Sequence, residues 1–167
     1  MQGQQCTCYL VDINRPKMAM HTGDRHDYIG VIVEFRDQKV EVPMFDHLNK
    51  IIQEFPKLIN GLAASPAAGH LFQVRYKTKA KYLSEEQAVA FHHMVIQLLF
   101  LITRARSDFG VTVTFLTSRV KQQDEDDWGK LKRVLKYLYG TRLLKLMLEV
   151  NSLDITKWFV DASHNVH

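Results

Sequence analysis

The sequence predicts an α+β fold: a β-hairpin near the N-terminus, then a mainly helical region, then a final short strand. Three patterns carry that expectation. Apolar and polar residues alternate from Tyr28 to Met44, which is the period of a strand. Apolar residues then recur at spacings of three and four as far as Leu138, the period of a helix. Last, Ile155 to Val160 reads as extended. At 167 residues and 46% hydrophobic, the chain has the material for a buried core without disulfide or metal staples.

Each element has its own local reason. Residues 1–16 show no clear period, although Cys8 to Ile13 fits a short strand. From His26 onward Ile29, Val31, Val33 and Phe35 alternate with Tyr28, Gly30, Ile32 and Glu34. Arg36-Asp37-Gln38-Lys39 makes a polar turn, and Val40, Val42 and Met44 return as the second strand. Leu48, Ile51, Ile52, Phe55 and Leu58 then form one apolar helical face, which Pro56 should end or kink. Asn60-Gly61 and the stretch from Ala63 to Gly69 read as loop. If extended, Arg75, Lys77, Lys79 and Lys81 put four cations on one side.

Ser84-Glu85-Glu86-Gln87 is a capping-box pattern, and the helix it opens runs to about Thr103 with a second half apolar nearly all round. Residues 108–120 fit either strand, through Val111 to Thr114, or one helical face, through Phe109, Thr112, Val113 and Leu116. The next helix is the clearest. Acidic residues 124–127 occupy its positive end, Trp128, Leu131, Val134, Leu135 and Leu138 make its buried stripe, and Gly140 is expected as a left-handed stop. Lys130, Lys132, Arg133 and Lys136 are left facing outward.

Charge and composition narrow the function. The net charge is +4, from 22 basic and 18 acidic residues, which permits a polyanionic partner without requiring one. Its distribution is sharper: six basic residues and no acidic one lie between Gly129 and Lys145, directly after Asp124-Glu125-Asp126-Asp127. A run of this kind either tracks a phosphate backbone or is a solvated helix face. Cys6 and Cys8 lack the second pair that a usual zinc site needs, and they read as reduced and intracellular. Adjacent His92 and His93 point about 100° apart on a helix and cannot chelate as an i, i+4 pair does. No metal site is expected, the start shows no secretory signal, and no apolar stretch approaches the roughly 20 residues of a membrane span.

Three motifs together resemble the reverse transcriptases of copia-type LTR retrotransposons. Met20-His21-Thr22-Gly23-Asp24-Arg25-His26-Asp27-Tyr28-Ile29-Gly30-Val31 is similar to the family's stretch ending in His-Asp-Tyr-Leu-Gly-Met. Trp128-Gly129-Lys130-Leu131-Lys132-Arg133-Val134-Leu135-Lys136-Tyr137-Leu138-Tyr139-Gly140-Thr141 resembles its Trp…Lys-Arg-Val-Leu-Arg-Tyr-Leu-x-Gly-Thr signature. Between them Arg106-Ser107-Asp108 stands where the family has Arg-Pro-Asp. The three fall in the family's order over roughly residues 17–167.

The resemblance implies a piece of a larger RNA-directed DNA polymerase with three parts. Residues 1–45 correspond to the end of the palm with its primer-grip-like hairpin, 46–150 to the helical thumb and connection, and 151–167 to the first strand of a truncated ribonuclease H domain. It implies that Tyr28, Ile29 and Gly30, with Lys130, Lys132, Arg133 and Lys136, contact a template–primer duplex or RNA–DNA hybrid. It also implies that residues 108–120 are helical and that Asp161 is the opening ribonuclease H carboxylate, inactive by itself.

The departures bear on catalysis. Two-metal polymerase chemistry needs bridged carboxylates holding ions about 4 Å apart. The only Asp-Asp pair, Asp126-Asp127, opens a helix, so magnesium belongs to the full-length enzyme and no cofactor is expected in this chain. Ser107 replaces a proline and removes a rigid helix start. A nucleic-acid-contacting fragment without catalysis is therefore expected. The alternatives are a non-catalytic protein-interaction module and a decayed remnant of a transposable element.

Overall fold

The computed structural model describes residues 7–10, 19–37, 39–56, 59–76 and 80–149. The predicted final strand, Ile155 to Val160, and Asp161 lie outside them. The architecture is α+β. Strands β1 (Thr7–Leu10) and β2 (Ala19–Thr22) pair antiparallel as a small sheet. A second antiparallel sheet contains β3 (Arg25–Tyr28), β4 (Val31–Arg36), β5 (Lys39–Val42) and β6 (Leu146–Glu149) in that order. Between β5 and β6 lie α1 (Phe45–Glu54), α2 (Glu85–Arg104), a 3₁₀ turn at Ser107–Phe109, α3 (Gly110–Arg119) and α4 (Glu125–Gly140).

The predicted hairpin is the β4–β5 pair, with Arg36 opposite Lys39. It does not start at Tyr28, however. Tyr28 faces Val31 across a second hairpin, and Ile29 and Gly30 form the two-residue turn between β3 and β4. Both turn residues have positive φ, 53° at Ile29 and 73° at Gly30, the combination that two-residue hairpins of matching twist require. The apolar alternation runs through this turn without marking it, because a β-branched residue such as Ile29 is the least expected occupant of that conformation.

The helices follow their apolar stripes. Helix α1 ends at Glu54, and Phe55, which precedes Pro56, is extended with ψ 129°, as a residue before proline prefers. Ser84 caps α2 by accepting from the Gln87 amide at 3.4 Å. The reciprocal half of the expected capping box does not form, because the Gln87 side chain accepts the Ser84 hydroxyl instead. By length and composition α2 is apolar enough to cross a membrane, and its Phe91, Met94, Val95, Leu98 and Leu101 are buried at the centre of the core.

Residues 107–119 are helical, because Phe109, Thr112, Val113 and Leu116 share one buried face. A true capping box starts α4, with Asp124 accepting from the amides of Asp126 and Asp127 at 2.9 Å and the Asp127 carboxylate accepting from the Asp124 amide at 3.3 Å. All five predicted stripe residues of α4 are buried. Gly140 is not the left-handed stop that was expected. It is the last helical residue, followed by Thr141 at φ −112°, and its bare Cα leaves room for Leu62, whose Cδ2 lies 3.4 Å from where a Cβ would stand.

The core joins sheet and helices, with Val31, Val42 and Met44 packed in the same cluster as the buried faces of α1 to α4. Strand β6 returns the chain to the sheet. Lys39 faces Glu149 and Val42 faces Leu146, with ion pairs from Lys39 to Glu149 at 3.3 Å and from Lys145 to Glu41 on the same strand pair.

Candidate nucleic-acid interface

The basic run of α4 divides into two sets with different jobs. Lys130 does not face outward: it is 7% exposed. Its ammonium donates to the Gln73 carbonyl at 2.7 Å, lies 3.0 Å from Asp126 and 3.6 Å from Asp127, and sits 4.8 Å from the centre of the Phe115 ring. Its aliphatic stem allows this burial, and the carboxylates one turn back compensate the charge. Arg133 is half-buried and donates to the carbonyl and hydroxyl of Ser65 at 3.2 Å. These two cations pin the connecting segment 59–76 against the helix. Arg75 adds an ion pair to Asp126 at 3.6 Å, Leu71 is buried, and Phe72 meets Phe115 edge-on at 5.7 Å.

Lys132 and Lys136 belong to the other set. They stand one turn apart and line two adjoining depressions between α4 and the pinned segment. One, about 170 Å³, is shared with Ile59 and Asn60. The other, about 400 Å³, is shared with Leu62, Ala63, Ala64, Gly129 and Arg133. Among the described residues no acidic side chain lines either depression. Three closely spaced cations without a carboxylate create a positive groove, which attracts phosphate.

The acidic start of the same helix is already spoken for. Asp124, Asp126 and Asp127 offer carboxylate oxygens within 4.8 Å of one another. Asp124 is the cap, Asp127 accepts from Arg119 at 2.9 Å, and Asp126 faces Lys130 and Arg75. Fixed cations thus pair with Asp126 and Asp127 and backbone amides occupy Asp124, so each carboxylate has a partner within the fold.

Two of the sequence motifs meet in space. The Arg106 guanidinium, 4% exposed in its side chain, grips Asp108 with two bonds of 2.8 Å and donates to the Thr141 carbonyl at 3.0 Å and hydroxyl at 2.9 Å. Tyr137 donates to the same Asp108 carboxylate at 2.8 Å. Partial burial pushes the Asp108 pKa up, but the bonds from Arg106 and Tyr137 outweigh it and hold the carboxyl below its ordinary value. Burial and the Asp108 bond raise the Tyr137 hydroxyl in turn. The cluster ties the end of α4 to the start of α3 and is structural in character.

The hairpin residues lie elsewhere. Tyr28 and Ile29 are 46% and 61% exposed, on a turn that no hydrogen bond or ion pair among the described residues joins to α4. Sequence reasoning missed Ser65, Gln73 and Arg119, whose partners lie on other elements. No protein-family model matches the sequence, and no solved structure matches the fold.

Proposed function

We propose that the chain is a piece of a copia-type retrotransposon reverse transcriptase that contacts template–primer nucleic acid and carries out no polymerase chemistry by itself. The observation that carries this reading is the open basic groove of Lys132, Arg133 and Lys136, free of lining carboxylates among the described residues. The three ordered motifs supply the family. Tyr28, Ile29 and Gly30 form an exposed tight turn suited to a second contact. Lys130 is removed from the contacting set because its charge is compensated inside the fold. No magnesium step is assigned to this chain, since the one carboxylate trio among the described residues is held by its own cations.

The test is binding of an RNA–DNA hybrid across a salt series. Each neutralised phosphate contributes a slope of about −0.9 in log K against log salt, so replacing both Lys132 and Lys136 with alanine should flatten the slope by about 2. Absence of any salt-dependent association would sink the proposal.

A second reading, a protein-interaction module, is favoured by exposed apolar residues around β6: Leu143 is 78% exposed, Leu144 55%, Met147 56% and Leu148 52%. Exposed large apolar side chains gathered in one short segment are a feature of interaction sites. A monomer in sedimentation at every concentration tested would count against a self-associating form of it.

A further inference from the structure

We propose that the α4 groove takes a short single-stranded tract of nucleic acid in preference to duplex, with Tyr139, one turn beyond the groove's lysines, as its stacking platform. This deepens the nucleic-acid reading above and rests on it. The shape of the groove argues first. A helix that reads duplex projects into a groove about 12 Å wide in B-form DNA, and the major groove of A-form helices is narrower still. The basic face of α4 does not stand as a projecting ridge: Ile59, Asn60, Leu62, Ala63 and Ala64 of the pinned segment line the two open depressions beside its lysines, and Leu62 packs against Gly140.

The chemistry along the helix argues second. Lys132, Lys136 and Tyr139 recur at i, i+4 and i+7, so they lie on one face. Tyr139 is 40% exposed, and the Arg142 guanidinium sits 4.8 Å from its ring centre. Two lysines on phosphates followed by a paired aromatic and guanidinium are the parts from which single-strand sites are made, because every base has a face to stack and every nucleotide a charge to meet. From Gly129 to Tyr139 the helix rises about 15 Å, the length over which these groups meet one strand. Asn60, at the edge of the smaller space, offers an amide to a base edge or sugar hydroxyl.

The experiment compares the full chain binding labelled eight-nucleotide oligo-dT and oligo-U with an RNA–DNA hybrid of equal length, with poly-glutamate as competitor. The single strands should bind more tightly than the hybrid. Tyr139→Ala should weaken single-strand binding about 5-fold or more while leaving the hybrid within 2-fold. The Lys132→Ala/Lys136→Ala pair should flatten the single-strand salt slope by about 1.4, at about −0.7 per phosphate. Lys50→Ala, on the exposed side of α1, should change neither, and circular dichroism should show every variant folded. Tighter binding of the hybrid with no effect of Tyr139→Ala overturns the single-strand site and leaves the duplex reading standing. No salt-dependent binding of either probe overturns both. Equal competition by poly-glutamate shows a general anion surface and also overturns the proposal.

Discussion

Arg106 and Thr141, 35 positions apart, are joined by two hydrogen bonds of 2.9 and 3.0 Å from one buried guanidinium. The same guanidinium is neutralised by Asp108, so the pair closes the helical block like a clasp between the start of α3 and the end of α4. Asp108→Asn removes the charge and leaves Arg106 uncompensated. A fully buried pair broken this way costs about 3–5 kcal/mol. With the Asp108 side chain 35% exposed, we expect about 2 kcal/mol, read as a shift in urea midpoint. Because its folded pKa is lowered, Asp108 contributes stability that is present above its unfolded pKa near 4 and is lost as pH falls through the folded value. Asp108→Asn should therefore also flatten the loss of stability below about pH 4.

His47 supplies an acid sensitivity at higher pH. Burial first, then Lys50 one turn away, lowers its pKa against the opposing pull of Glu54. Its Nε2 is buried without a hydrogen-bond partner, beside Phe100 at 5.0 Å. A lowered histidine contributes stability present above the unfolded pKa near 6.5 and lost as pH drops through the folded one. His47→Leu should raise the thermal midpoint by about 2–4 °C at pH 8, as relief of one unpaired polar atom worth about 1 kcal/mol. The gain should be larger at pH 5. An equal gain at both pH values would refute the role assigned to His47.

The turn at Ile29 stores strain. A β-branched side chain at φ 53° pays about 1–2 kcal/mol relative to residues that tolerate the left-handed region. Asparagine before glycine is the favoured pair for such turns, so Ile29→Asn should stabilise the chain by about 1 kcal/mol in chemical denaturation. If the turn also touches nucleic acid, the same variant should weaken hybrid binding while it stabilises the fold.

Lys130 and Lys132, two positions apart, should separate cleanly. Lys130→Met leaves Asp126 with Arg75 alone, Asp127 with Arg119 alone and the Gln73 carbonyl without its donor, with an expected loss of about 2 kcal/mol, below that of a buried charge left wholly unpaired. Lys132→Ala should stay within about 0.5 kcal/mol of the parent and show its effect in the salt dependence of binding. Comparable destabilisation by the two would remove the division of the basic run.

Local signals predicted the parts of the fold that depend on neighbours in sequence. The stripe from Trp128 to Leu138, the β4–β5 hairpin and the break before Pro56 follow from residues within a few positions of one another. What escaped depends on distance. Lys130 looks like its neighbours until Gln73, 57 residues upstream, is placed against it, and Arg133 likewise until Ser65 arrives from 68 residues away. Strand β6 is four residues long and gains its meaning only beside β5. Ile29 escaped because it breaks the rule that would have announced it.

The β5–β6 ladder joins Glu41 to the neighbourhood of Lys145, 104 positions along, and every helix among the described residues lies inside that span. Closing so long a loop costs entropy that only native contacts elsewhere repay. Contacts so far apart in sequence form slowly, so we expect the helices to gather before the fourth strand finds its place. Until then β5 has an open edge, with Val40 and Val42 beside it. The window for mispairing between chains stays open as long as the helical block takes to assemble.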